Sequence, residues 1–181
     1  MSLFSVENIS TVPRRKLFTL WGVEFQATPW AWFSLVYPQL IGLVVSFVVL
    51  PNLDLGMRLL SALGFGVCIL GAYYIHELGH ILSGHLVGSP MTVNLVTATT
   101  QINHYDEHVP VASWVHIGRA IGGPLANLGA FLIASLLISS APNNVFLSIF
   151  SLTNGLLLFA ILPVPSLDGA VIVRELRHWR A

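Results

Sequence analysis

The chain has 181 residues, 55% of them hydrophobic and only 9% charged, against about 25% charged in an ordinary soluble domain; its mean hydropathy is +0.77. Eight basic and eight acidic side chains cancel, which excludes a basic surface for nucleic acid, and the single cysteine, Cys68, excludes a disulfide framework or a thiolate zinc site. The composition is that of an α-helical integral membrane protein, with room for one membrane domain and no large soluble module.

Residues 1–28 read as an N-terminal cytoplasmic or interfacial segment. Residues 1–12 suit a disordered tail. The basic triplet Arg14-Arg15-Lys16 does not open a signal peptide, because Gly22 and Glu24 break the apolar run behind it and no small-residue cleavage site follows. Alternation around Trp21-Gly22 predicts a short surface hairpin. The membrane domain is then 29–181. Thr28-Pro29 has the form of an N-cap followed by a first-turn proline, and residues 29–50 carry no charge. That length is about 33 Å of helix, enough for a first span, kinked at Pro38 and ended by Pro51.

The second span is expected over residues 59–87, with Gly88-Ser89-Pro90 stopping it. Near its end stands His76-Glu77-Leu78-Gly79-His80. Histidines four apart on a helix leave the same face one turn from each other, which suits two nitrogen ligands of one Zn²⁺. Glu77 between them is free to act as a base toward an attacking water. Residues 60–75 hold no charge, and ionisable groups at the end of such a run are expensive to bury and read as functional.

Residues 91–117 form the one sizeable polar connection. Its β-branched stretch 92–100 predicts a strand. An edge carrying Val93, Leu95 and Val96 could bind an extended substrate by strand addition. Residues 103–108 read as a turn or loop, with His104 and His108 as solvated side chains rather than ligands. A third span over 117–139 begins with Ile121-Gly122-Gly123-Pro124-Leu125-Ala126-Asn127, small residues that permit close helix approach. Asn127 is polar at membrane depth, suited either to an interhelical hydrogen bond or to substrate binding. A fourth span covers 145–162 until Pro163-Val164-Pro165 breaks it, and 170–180 closes the chain as a basic interfacial helix. Asp168 before it is either an N-cap or, as the acid at a depth comparable with His76, a third metal ligand.

Basic residues at 14–16, Arg119, Arg174, Arg177 and Arg180 fall on one side of such a four-span arrangement and only Arg58 on the other. The positive-inside rule then puts both termini in the cytoplasm, and the HELGH, Asn127 and Asp168 segments converge at one depth near that face.

Three motifs together, His76-Glu77-Leu78-Gly79-His80, Gly123-Pro124-Leu125-Ala126-Asn127 and Leu162-Pro163-Val164-Pro165-Ser166-Leu167-Asp168-Gly169, resemble the site-2 protease family of intramembrane zinc metalloproteases, over most of residues 14–175. The resemblance implies a three-helix catalytic core from the second to fourth spans and one Zn²⁺ per chain on His76, His80 and Asp168. It also implies Glu77 as catalytic base and the transmembrane segment of another protein as substrate. The chain departs from the family pattern at Ala160, where the family has Asn, with Asn154 six residues earlier, and it lacks a glycine-rich stretch between Thr92 and Tyr105. Two other classes compete: an inactive relative that binds zinc and partner helices, and a metal transporter. Intact Glu77 opposes the first, and the lack of ligands repeated along a path opposes the second.

Overall fold

The computed structural model describes residues 12–106 and 108–179; the tail expected over 1–12 lies outside them but for its last residue. The chain is mostly helical, with one small sheet. Strands β1 (Arg15–Leu20) and β2 (Val23–Ala27) form the expected hairpin. Trp21 and Gly22 both take positive φ, 49° and 81°, the two-residue turn whose twist matches that of the strands.

Helix α1 (Phe33–Val49) follows, four residues later than the Thr28-Pro29 signal suggests. Residues 28–35 are instead wound in i→i+3 bonds, including Ala31 N–H to Thr28 O at 3.0 Å and Leu35 N–H to Trp32 O at 3.1 Å. Helix α2 (Leu55–Leu86) starts earlier than expected, because Asp54 caps it by accepting from Met57 N–H at 3.0 Å. Strands β3 (Val93–Val96) and β4 (Gln101–His104) make a second hairpin. Asn103 and His104, expected in a loop, are therefore strand residues.

Helix α3 (Ser113–Ser140) is followed by α4 (Val145–Leu157), which passes into a 3-10 turn (Leu158–Ile161), and then by α5 (Asp168–Trp179). Among the described residues two helices, α2 and α3, are long and apolar enough to cross a membrane, against the four spans expected. Helix α1 has 17 residues and α4 only 13. The early turns of α1 and the 3-10 winding after Leu157 use apolar sequence that hydropathy counts as helix. Arg119, within the expected third span, lies near the start of α3. It is 6% exposed, stacked 4.0 Å over the Tyr105 ring and hydrogen-bonded to Ser89.

The sheet order is β1-β2-β3-β4, with β2 and β3 parallel and both hairpins antiparallel. Interior strand β3 is hydrogen-bonded on both sides, so Val93, Leu95 and Val96 do not offer a free edge. The free edges are β1 and β4. Val23 and Phe25 of the sheet pack with Ile81 of α2 and with Met91, which sets the sheet beside the histidine-bearing turns. Helices α2 and α3 cross closely at Gly79, where a Cβ would meet the Gly122 backbone and would stand 2.6 Å from Ala126 Cβ.

Candidate metal centre

His76 and His80 leave the same face of α2, as their spacing requires, and their Nε2 atoms lie 3.1 Å apart. Asp168, the first residue of α5, points both carboxylate oxygens at them: Oδ2 is 3.1 Å from His76 Nε2, and Oδ1 is 3.4 Å from His80 Nε2. Tetrahedral zinc with bonds of about 2.0–2.1 Å needs donors about 3.3 Å apart. The triangle has that size, and these three residues could hold a metal ion. Among the described residues they form the one such group; His104 and His108 do not join it.

Hydrogen bonds on the far side of each ring decide what the near side presents. Asn127 is fully buried, and its Nδ2 donates to Ala72 O at 3.0 Å and to Asn154 Oδ1 at 2.8 Å. Its Oδ1 is therefore the acceptor 2.5 Å from His76 Nδ1. His80 Nδ1 donates to the Arg119 carbonyl, 2.8 Å away. With both rings neutral, each Nδ1 carries the proton and each Nε2 presents a bare lone pair. Two lone pairs and a carboxylate converging within about 3.4 Å repel one another unless a cation lies between them, so the donor set fits zinc on its own chemistry. A cation at that point would hold the Asp168 carboxyl ionised throughout the neutral range, as a ligand must be.

Gly123 of α3 keeps the centre open. A Cβ there would stand 2.5 Å from Nε2 of both histidines, filling the room beside the donors. Glu77 lines the same cavity of about 220 Å³, together with Tyr37, Tyr73, Gln101, Asn103, Ala160 and Asp168. Its Oε2 accepts from Asn94 Nδ2 at 3.1 Å and Asn103 Nδ2 at 3.0 Å.

The structure thus gathers His76, Glu77, His80 and Asp168 around one cavity. Asn127, read from sequence as either interhelical or substrate-binding, has its polar atoms occupied behind His76. Asn154 lies one layer further back, bonded to Asn127 and to Phe150 O, so it does not take the place in the cavity wall where Ala160 stands. Sequence reasoning passed over Asn94 and Asn103. Their signal was faint: polar residues alternating with apolar ones in short β-prone stretches, where a solvated loop looks the same.

The fold resembles a known one. It is similar to the Site-2 Protease from Methanocaldococcus jannaschii, with a TM-score of 0.57 and 15% identity, over 93% of this chain and 73% of that one. No family model matches the sequence, and no curated protein does. At that identity the likeness is one of fold, and any chemistry rests on the residues described above.

Proposed function

We propose that the chain is an intramembrane zinc metalloprotease, hydrolysing a peptide bond within or beside a transmembrane segment of another protein. The observation that carries this reading is the convergence of two imidazole nitrogens and a carboxylate on one point, with the Glu77 carboxylate lining the same cavity outside that group. His76, His80 and Asp168 would hold one Zn²⁺. Bound there, zinc supplies Lewis acidity and makes a water acidic enough to react near pH 7. Glu77 takes the proton of the attacking water and returns it to the leaving amine. Asn127 and the Arg119 carbonyl keep the two rings in the tautomer that presents Nε2.

Several features suit a lipid surround. Aliphatic side chains face outward along α1, α2 and α3, among them Val48, Leu60, Val67, Ile133 and Leu136, each more than 60% exposed. Helix α1 packs on α2, and α4 on both α2 and α3; in a four-helix membrane bundle the two shorter helices would reach across by means of their flanking turns. The basic triplet at 14–16 and Arg174 and Arg177 of α5 orient both termini, and the centre, toward the cytoplasm.

A helical substrate must be extended before its carbonyl is reached, and its freed backbone groups need partners in lipid. The free edge of β4 beside the cavity supplies them by strand addition, a role the sequence alone gave to β3. N-methylating alternate amides of a substrate should therefore slow its cleavage, and an unchanged rate would remove β4 from the account. The reading as a whole is tested by reconstituting the purified chain with a panel of transmembrane peptides. Cleavage should stop on chelation and return with zinc; cleavage indifferent to chelation would defeat it.

A further inference from the structure

Glu77 has three side-chain torsions and projects from α2 into an open cavity, so helix geometry alone does not hold its carboxylate in place. Two side-chain amides from the sheet do. Asn94 of β3 and Asn103 of β4 are cross-strand partners in the sheet register, and the Asn94 Nδ2 also donates to Asn103 Oδ1 at 2.8 Å. Both amides reach the same oxygen of Glu77, Oε2, at 3.1 and 3.0 Å. Oε1 is left as the oxygen available for proton transfer.

The arrangement has a cost. Asn94 is fully buried, and its Oδ1 finds no hydrogen-bond partner among the described residues. A buried acceptor without a partner is unfavourable, and an aliphatic residue in that central strand would avoid the loss. What the asparagine gains in its place is a charge-assisted bond to the carboxylate.

We infer that Asn94 and Asn103 are positioning residues, a clamp by which the β3–β4 hairpin aligns Glu77 for proton transfer. The inference rests on the reading of Glu77 as the base and deepens it. The hairpin thereby serves two purposes: the outer edge of β4 faces an extended substrate, and its Asn103 side chain aims the base.

Asn103→Ala is the variant of choice, because Asn103 is half-buried whereas Asn94 lies within the sheet core. The full-length protein is purified with zinc and measured for zinc content, for hydrogen exchange of residues 101–104, and for kcat and KM on one cleavable peptide. The clamp predicts a fall in kcat of about tenfold or more, the scale of a misaligned general base, with zinc content, exchange protection and KM unchanged. In a Glu77→Gln background the same substitution should change the residual rate by less than about twofold, because the group it aligns no longer acts. A wild-type kcat, an equal loss in both backgrounds, or a loss of zinc or strand protection in step with the rate would each overturn the clamp. Glu77→Gln at full speed would overturn the base itself, and the clamp with it. A slow Glu77→Gln beside a fast Asn103→Ala would overturn the clamp alone.

Discussion

Asn127→Ala separates two roles the side chain could have, holding a ligand or touching substrate. Asn127 is wholly buried and makes three polar contacts, to His76 Nδ1, Ala72 O and Asn154 Oδ1. Truncation leaves the His76 Nδ1–H and the Asn154 Oδ1 without their partners, a loss of about 1–3 kcal/mol each, so the variant should be measurably less stable. The His76 share appears in metal binding. Losing the group that fixes a ligating histidine typically weakens affinity about 10–100-fold, which is about 1.4–2.8 kcal/mol. Asn127→Asp keeps an acceptor at that place and should bind zinc within about tenfold of wild type. The assay is competition with a chromophoric chelator, followed by kcat at zinc concentrations that saturate each variant. If Asn127 only positions His76, kcat of the alanine variant at full occupancy should return to within about threefold of wild type. A kcat still about 10²–10³-fold low with the site full would mean that Asn127 stabilises charge on the substrate, and the positioning argument would fail.

Four shorter expectations follow from the same geometry. Asp168→Ala should lose bound zinc by elemental analysis while His104→Ala keeps it; the reverse result would make Asp168 a mere helix cap. Gly123→Ala should abolish zinc binding with helix content unchanged by circular dichroism, since the added methyl would sit 2.5 Å from both ligating nitrogens. Zinc affinity by calorimetry should be lower at about pH 5.5 than at about pH 7.5, with protons released on binding. The direction follows from protons competing for the imidazoles, which titrate in this range, while an Asp carboxyl is already ionised at both pH values; pH-independent affinity would contradict it. Topology reporters fused at the two termini should report the same side and one inserted near Asn143 the opposite side, whereas split termini would refute the proposed orientation.

What could be read from the sequence was local or set by topology. The His76–His80 pair is a helix-spacing argument and holds wherever the helix holds. Asp168 emerged because two chain reversals bring its segment back to the depth of the histidines. The sheet was harder, because parallel pairing of β2 with β3 joins segments separated by two helices and no local pattern announces it. Without that pairing β3 looks like an edge, and the interior positions of Leu95 and Val96 and the outward edge of β4 are exchanged. Helix length failed for a related reason. Hydropathy registers apolar side chains, not whether the backbone takes i→i+4 or i→i+3 bonds, so 29–50 and 145–162 read as longer helices than Phe33–Val49 and Val145–Leu157. Asn127 was visible as unusual, but only its hydrogen bonds say which way its amide faces.

The central claim is that this chain hydrolyses peptide bonds with zinc and Glu77. It is met most directly by incubating zinc-loaded wild type and Glu77→Gln with transmembrane peptides in ¹⁸O-labelled water and weighing the products. The account predicts new carboxyl termini carrying the label for wild type, none after chelation, and a rate lower by about 10² or more for Glu77→Gln despite equal zinc. Equal cleavage by the two proteins, or stoichiometric zinc with no cleavage by either across the whole panel, would contradict it.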